Sequence, residues 1–351
     1  MAKSAVPGVG THVRAAVLSH YFEVAQQLGL NPQGLLRKVG LSRALISAPA
    51  QHIPVAAVVD LLEASAAATG CCTFGLRMAE ARQLADFGPI SLLLSHQPTL
   101  RVALNTIVQY RHLLNESLAM FIEDAGKTTL IREEVVIEGR QSIRQATELA
   151  VGVLPLIFRA LLGKQWHPQA VHFAHAPMGD LQVYRRVFRC SPQFDSEFNG
   201  LVCPTSDMDQ PNREADAALA GYAQSFIDAL PRWDQSSIVL EVRKSIYLLL
   251  PMGRASVDQI AQGLGMHVRT LQRKVEESGK TFSGLVDEVR RELAQHYIRN
   301  TSYPLGRVAE QLGYANQSSF TRWFIAQFGT APTMLRAQQS IGSALGIRKS
   351  I

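Results

Sequence analysis

The chain lacks the signatures of the commoner enzyme classes. Its 351 residues contain no G-x-S-x-G nucleophile elbow, no P-loop and no dinucleotide-binding fingerprint, so no enzymatic activity is expected. Cysteine is scarce. Cys71, Cys72, Cys190 and Cys203 form no C-x-x-C pair, and no histidine cluster completes a zinc pattern. These four thiols are expected to be reduced and mostly buried in a cytoplasmic protein, and neither a metal nor another cofactor is expected. Long apolar runs are missing too. The best stretch, Leu149 to Gly163, is 15 residues long and contains Pro155 and Arg159, which suits a buried helix better than a bilayer span of about 20 residues. The N-terminus has no basic segment followed by an apolar core, so no secretory signal and no membrane partner are expected.

What charge there is lies unevenly. Charged residues make up 18% of the chain and the net charge is +6. From Arg232 to the end, 16 Lys and Arg stand against 9 Asp and Glu, a balance of +7, whereas the preceding 231 residues hold 19 against 20. A basic excess confined to one third of a chain predicts a phosphate-facing surface there.

That basic third carries the same short module twice. Ile260-Ala261-Gln262-Gly263-Leu264-Gly265 and Val308-Ala309-Glu310-Gln311-Leu312-Gly313 both read [IV]-A-x-x-L-G, 48 positions apart. Each precedes a second amphipathic helix, the layout of a helix-turn-helix whose glycine makes the turn. Ser256-Val257-Asp258-Gln259 has the form of a capping box and starts the first supporting helix. Its second helix, Met266 to about Ser278, anchors through Val268, Leu271 and Val275 and presents Arg269, Gln272, Arg273 and Lys274. Arginine reads guanine edges in bidentate fashion and glutamine reads adenine. A long helix from Phe282 to about Asn300 joins the modules, and Pro304 marks the next start. The second recognition helix, Asn316 to about Phe328, has Gln317, Ser318, Thr321 and Arg322 on its polar side. Its aromatic stripe of Phe320, Trp323, Phe324 and Phe328 is spaced for core packing rather than base stacking.

Upstream, residues 12 to 48 read as helices, with Leu18, Phe22, Ala25 and Leu28 as one apolar stripe and Pro32 starting the next helix. Val55 to Ala68 gives a helix ended at Gly70, and Thr99 to Leu118 a long one. Lys127 to Ile137, after an Ala125-Gly126 turn, is rich in Thr, Ile and Val and predicts a strand. Gln145 to Leu162 predicts a helix, as does Asp180 to Phe188 between short strands at Ala170 to Ala174 and Gly200 to Cys203. A helix from Glu214 to Leu230 follows, with breaks at Pro211 and at Pro231-Arg232-Trp233-Asp234. The expected fold is an α+β N-terminal domain with a small sheet over residues 1–210, a linker region over 211–235, an all-α domain with two helix-turn-helix modules over 236–340, and a tail over 341–351.

Taken together, Thr270-Leu271-Gln272-Arg273-Lys274, Arg290-Arg291-Glu292-Leu293-Ala294, Leu312-Gly313-Tyr314, Ser318-Ser319-Phe320-Thr321-Arg322-Trp323-Phe324 and Phe328-Gly329-Thr330-Ala331-Pro332 resemble the AraC/XylS family of bacterial transcription regulators over about residues 238 to 337. The resemblance implies that each module puts its second helix into successive major-groove segments on one DNA face. Base readout would then fall to Arg269, Gln272, Arg273, Gln317, Ser318, Thr321 and Arg322, and phosphate contact to Lys274 and Lys280. Gly306 departs from the pattern, lying where the family has a better helix former, at a cost of roughly 1 kcal/mol relative to alanine.

A second resemblance covers about residues 20 to 215. Phe74-Gly75-Leu76-Arg77-Met78-Ala79, Asp86-Phe87-Gly88-Pro89-Ile90, Pro98-Thr99-Leu100, Leu161-Leu162-Gly163, Val171-His172-Phe173 and Tyr184-Arg185-Arg186-Val187-Phe188 are similar to the arabinose-binding-like N-terminal domain of one branch of that family, which includes ornithine-utilisation regulators. It implies effector sensing and homodimerisation without naming the effector. His96, Tyr110, Arg111, His112 and Glu116 cluster around one helix and suit an amino-acid or carboxylate ligand, the first four being the candidate effector contacts. His172 and His175 are three apart but have no third ligand. The reading is a DNA-binding regulator, by family habit an activator contacting RNA polymerase, controlled by a small-molecule effector. The alternative is a constitutive DNA-binding protein whose N-terminal domain only dimerises. A DNA-repair alkyl transferase, which needs a reactive cysteine in a zinc or Pro-Cys-His setting, finds none among the four cysteines.

Overall fold

A computed structural model describes residues 12–137, 142–179, 181–230 and 237–337, without the side chains of His112 and Asn300. The described chain falls into two compact units. One holds the chain up to His172, Met178–Gln193 and the chain from Asn199 to residue 230; the other holds Phe173–Pro177, Phe194–Phe198 and the chain from Ser237 onward.

In the first unit, β1 (His12–Arg14) pairs antiparallel with β2 (His52–Pro54). A larger sheet has the order β3 (Leu118–Ala125), β4 (Thr128–Val135), β7 (Gly200–Pro204), β5 (Ala170–His172), β6 (Pro192–Gln193), and only the β5–β6 pair is parallel. The β3–β4 hairpin closes through Gly126-Lys127, with Gly126 at φ 72°, as a two-residue primed turn requires. Around the sheet lie α1 (Tyr21–Gln27), α2 (Val55–Thr69), α3 (Phe74–Ala81), α4 (Pro89–Ser95), α5 (Leu100–Gln109), α6 (Arg144–Leu162), α7 (Gln182–Phe188) and α8 (Ala217–Asp228).

The α+β expectation holds for this unit, with two local corrections. Residues 12 to 48 are not all helical, because β1 opens them, and the buried face is Leu18, Tyr21, Val24 and Ala25. Phe22 is half-buried under the Arg43 guanidinium, 4.5 Å from its ring centre. The helix expected from Thr99 to Leu118 ends at Gln109. One 3₁₀ turn follows, and the Asn115 side chain then accepts from the Ser117 N–H at 2.9 Å and its hydroxyl at 2.7 Å. This local bond redirects the backbone into β3, as Asx turns do.

Helix α6 runs 19 residues, longer than its apolar stretch suggests, and among the described residues it alone is an unbroken helix long and apolar enough to cross a membrane. It is the core helix of the unit, with 67% of its apolar window buried. Two glycines seat α3 on it. A Cβ on Gly75 would lie 2.0 Å from the Gln145 carbonyl oxygen, and one on Gly152 would lie 2.7 Å from the Ala79 Cβ. The family-like Phe74-Gly75-Leu76 run is thus a close-packing device.

The segment expected as a linker, 211–235, is ordered in part. Asn212 donates to the carbonyls of Ser95 at 2.7 Å and Gln97 at 2.9 Å, and α8 follows with its Asp216 side chain capping the Ala218 and Leu219 N–H groups. Residues 231–236 and 338–351, which include the linker's end and the expected tail, lie outside the described residues.

The second unit is all-α, as expected: α9 (Ile238–Leu249), α10 (Val257–Gly263), α11 (Val268–Glu277), α12 (Phe282–Asn300), α13 (Leu305–Gln311) and α14 (Gln317–Phe328). One continuous core runs through both modules, with Ile260, Leu271, Leu285, Val308, Phe320 and Phe324 all fully buried in it. Neither module buries its apolar face alone; the long α12 is their shared wall.

Candidate nucleic-acid interface and ligand cavity

The two modules repeat in geometry as well as in sequence. At the end of α10, Gly265 has φ 65°, its N–H bonds the Gln262 carbonyl at 3.0 Å, and the Met266 N–H bonds the Ala261 carbonyl at 2.8 Å. At the end of α13, Gly313 has φ 77°, its N–H bonds the Glu310 carbonyl at 2.9 Å, and the Tyr314 N–H bonds the Ala309 carbonyl at 2.9 Å. Both are Schellman turns, and each needs a left-handed residue that only glycine supplies without strain. They give the α10–α11 and α13–α14 connections the same turn.

Starts are capped too. The Ser256–Gln259 capping box is formed at α10, and the Asn316 side chain accepts from the Ser319 N–H at 2.8 Å at α14. Arg290 on α12 braces the second turn: it donates to the Leu312 carbonyl at 3.0 Å, pairs with Asp287 at 2.9 Å and lies 5.4 Å from the Tyr314 ring centre.

Leu271 and Val275 bury one side of α11 and leave Arg269, Gln272, Arg273 and Lys274 exposed on the other. On α14, Phe320 and Phe324 are buried, Trp323 and Phe328 pack against them, and Gln317, Ser318 and Arg322 are exposed with Thr321 half-exposed. The aromatic stripe is therefore core, and the polar side faces outward. Arg273 holds a loose pair with Glu277 at 2.9 Å, both ends well exposed and free to exchange for another anion. Lys280, expected at a phosphate, is bonded to Glu288 at 2.6 Å. Glu288 also accepts from Arg243, which is 2% exposed and grips both oxygens of Glu292 at 2.8 Å. This cluster fastens α9 to α12.

The first unit holds a half-open cavity of about 100 Å³. Its walls are apolar: Leu62 on α2, Ile107 on α5, Met120 on β3, Val135 on β4, and Leu149 and Val153 on α6. Four charged residues line it, Arg14, Arg82, Asp86 and Glu133. Arg82 donates through one terminal nitrogen to the carbonyls of Ala16, at 2.9 Å, and Val17, its Nε has no partner, and burial lowers its pKa to about 10. Arg14 donates to the Phe87 carbonyl at 3.3 Å. Asp86 accepts from the Gln83 N–H at 2.8 Å and lies 3.1 Å from His20. Glu133 is 3% exposed, and its Oε2 has no hydrogen-bond partner. Burial, with the neighbouring Glu134 adding like charge, pushes Glu133 up to about 8.

The residues expected to contact an effector lie elsewhere. His96 donates through Nδ1 to the Glu214 carbonyl at 2.7 Å. Tyr110 bonds Asp228 on α8 at 3.0 Å, and Arg111 donates to the Val108 carbonyl at 2.7 Å. Glu116 is buried and accepts from the His12 N–H at 3.3 Å. The His112 side chain is outside the described residues. None of these lines the cavity; His96 and Tyr110 tie residues 214–228 to the helices beneath. Glu133 lies inside the Thr-, Ile- and Val-rich run that predicts the strand. Its signal was phase: it alternates with Ile131 and Val135, so it shares their inward face.

Residues 29–212 match the arabinose-binding domain of AraC transcription regulators, and residues 260–338 match a helix-turn-helix domain. The chain belongs to the AraC family of transcription regulators. This regulator is 28% identical over 331 residues to the HTH-type transcriptional regulator VirS of Mycobacterium tuberculosis, covering 94% of this chain and 97% of that one. It is 23% identical over 327 residues to the ornithine utilization regulator of Pseudomonas aeruginosa, with 92% and 96% covered. It is also 24% identical over 282 residues to the transcriptional activator NphR of a Rhodococcus species, with 71% and 79% covered. DNA binding through the tandem modules follows from that membership.

Proposed function

We propose that this AraC-family chain is a cytoplasmic transcription activator whose grip on DNA is set by a small-molecule effector held in the cavity of the first unit. The observation that supports it best is the combination of twin glycine-turned modules with exposed Arg269, Gln272 and Arg273, and Gln317, Ser318 and Arg322 beside a half-exposed Thr321, on a chain that also holds a mostly apolar cavity lined by an acid with an unsatisfied oxygen. Those seven residues are assigned to base edges, and Lys274 and Lys280 to phosphates, Lys280 exchanging Glu288 for the backbone. An effector shifts DNA affinity only as far as it binds the DNA-competent state better. The activating sign is supported by the activator NphR and entails contact with RNA polymerase.

Homodimerisation is supported by an exposed apolar stripe on α8: Leu219 is 40% exposed, Tyr222 75% and Phe226 58%, at helical spacing. Such a stripe suits the alternative as well, a constitutive binder that only dimerises. Selecting bound sites from fragmented genomic DNA, with and without cell-extract metabolites, separates the two. Half-elements about 10 base pairs apart, enriched differently in the two conditions, are expected. Identical enrichment in both would leave the constitutive reading, and no enrichment at all would sink the assigned readout.

A further inference from the structure

Strand register concentrates the cavity's chemistry on one residue. Glu133 pairs with Met120 across the β3–β4 ladder, and Val135 pairs with Leu118; all four line the cavity. The flanking Glu134 occupies the opposite phase and accepts from Asn199 at 2.9 Å. Glu133 is thus a carboxyl group set among the apolar residues of the hairpin, with one oxygen unsatisfied, in a cavity that Arg14, Arg82, Asp86 and Asn115 also line. Among the described residues no cation stands within ion-pair distance of it. Arg82 and Arg14 face the same space but give their guanidinium groups to the carbonyls of Ala16, Val17 and Phe87.

We infer that this cavity takes an uncharged, mainly apolar molecule of about eight heavy atoms whose single hydroxyl hydrogen-bonds Glu133. The inference rests on reading the first unit as the effector domain and names its ligand class. Size follows from volume, since one water-sized guest needs about 10–15 Å³ on this measure. Polarity follows from the walls, which mostly match a carbon skeleton; of the lining residues' buried polar atoms, the Glu133 Oε2 and the Arg82 Nε lack partners, and Glu133 Oε2 is the one oxygen among them. Neutrality follows from the Glu133 carboxyl being protonated near neutral pH, pushed up to about 8 by burial. A protonated carboxyl donates to a hydroxyl oxygen and accepts from its O–H at once. A cationic ligand would instead have to ionise a group whose surroundings oppose ionisation, and an anionic one would meet guanidinium groups already bonded to carbonyl oxygens.

Four probes on one skeleton test this in the full-length protein at pH 7, by calorimetry and by shift of the unfolding temperature: benzyl alcohol, toluene, benzylamine and benzoate. Benzyl alcohol is expected to bind about tenfold tighter than toluene, the worth of one hydrogen bond to a buried partner, and tighter still than the two ions. Glu133→Leu should bring benzyl alcohol and toluene within about twofold of each other while leaving toluene unchanged. Glu133→Gln, which keeps a donor and an acceptor, should retain the alcohol preference and guards against a folding defect in the leucine variant. Equal affinity of alcohol and toluene, tightest binding by benzylamine or benzoate, or no binding by any probe overturns the inference. If no probe binds while cell-extract metabolites still alter DNA selection, the ligand class falls and the effector reading stands. If the probes bind in the expected order while no metabolite changes DNA selection, the site and its class stand and the regulatory reading falls.

Discussion

A buried acid with an unsatisfied oxygen should cost this protein stability, and the cost should depend on pH. Glu133 has an ordinary value of 4.5 when unfolded and is pushed up to about 8 when folded, mainly by burial. Between those values the folded state holds a proton that the unfolded state has released. Stability from this group is therefore complete below pH 4.5 and falls as pH rises, levelling off above about 8. The slope is about 1.4 kcal/mol per pH unit, so the accumulated loss at pH 7 is on the order of 3 kcal/mol. Glutamine has the same shape and does not ionise. Glu133→Gln should be nearly neutral at pH 4.5 and should stabilise by on the order of 3 kcal/mol at pH 7. Glu134, raised to about 7 mainly by burial, remains in the variant and leaves a shallower residual slope. Urea unfolding across pH 4.5 to 8.5, with hydrogen exchange of peptides spanning 118–136 to isolate the first unit, reads the effect. Parallel pH profiles for parent and variant would refute the placement of a protonated carboxyl in that wall.

Three further outcomes are expected. Arg273→Ala should weaken DNA binding by about 1–3 kcal/mol at one base position and relax specificity there, as measured by competition with single-substituted sites; a uniform loss across sites would move it to the phosphates. Gly313→Ala has room for its methyl, the nearest atom being 3.9 Å away on Leu250, so its cost is conformational, about 1–2 kcal/mol, and Gly265→Ala, with nothing within 4 Å, should cost the same by thermal unfolding. Arg243→Ala removes the cation that Glu288 and Glu292 share and should destabilise the second unit by about 2–4 kcal/mol, slightly below a fully buried pair because both acids reach solvent; a variant as stable as the parent would show that water replaces the guanidinium without cost.

How much of this was legible in the chain depended on how local its causes are. The twin turns were, since a Schellman end is written within six residues: Ala261 to Met266 and Ala309 to Tyr314 carry the glycine and both bonded carbonyls. The outward sets on α11 and α14 were as well, because Leu271 with Val275 and Phe320 with Phe324 define the buried side at helical spacing. Strand β3 was hidden because the bond that ends the preceding helical run comes from one side chain, Asn115, inside a stretch whose apolar residues continue at helical spacing. The cavity was hidden for a different reason. It is assembled from α2, α5, the β3–β4 hairpin and α6, elements spread from Val55 to Leu162, so no short window of sequence contains it. The titratable cluster around α5 reads as a ligand site because histidine, tyrosine and arginine stand close together in the chain; in the fold, two of its members, His96 and Tyr110, fasten 214–228. The strand carried the more telling sign, an acid in phase with Thr129, Ile131 and Val135 on the buried face, where the Thr129 hydroxyl is bonded to Asp124 and the Glu133 Oε2 to nothing. An ionisable group kept on the inward face of a strand, with no partner within the fold, directs attention to a partner from outside it.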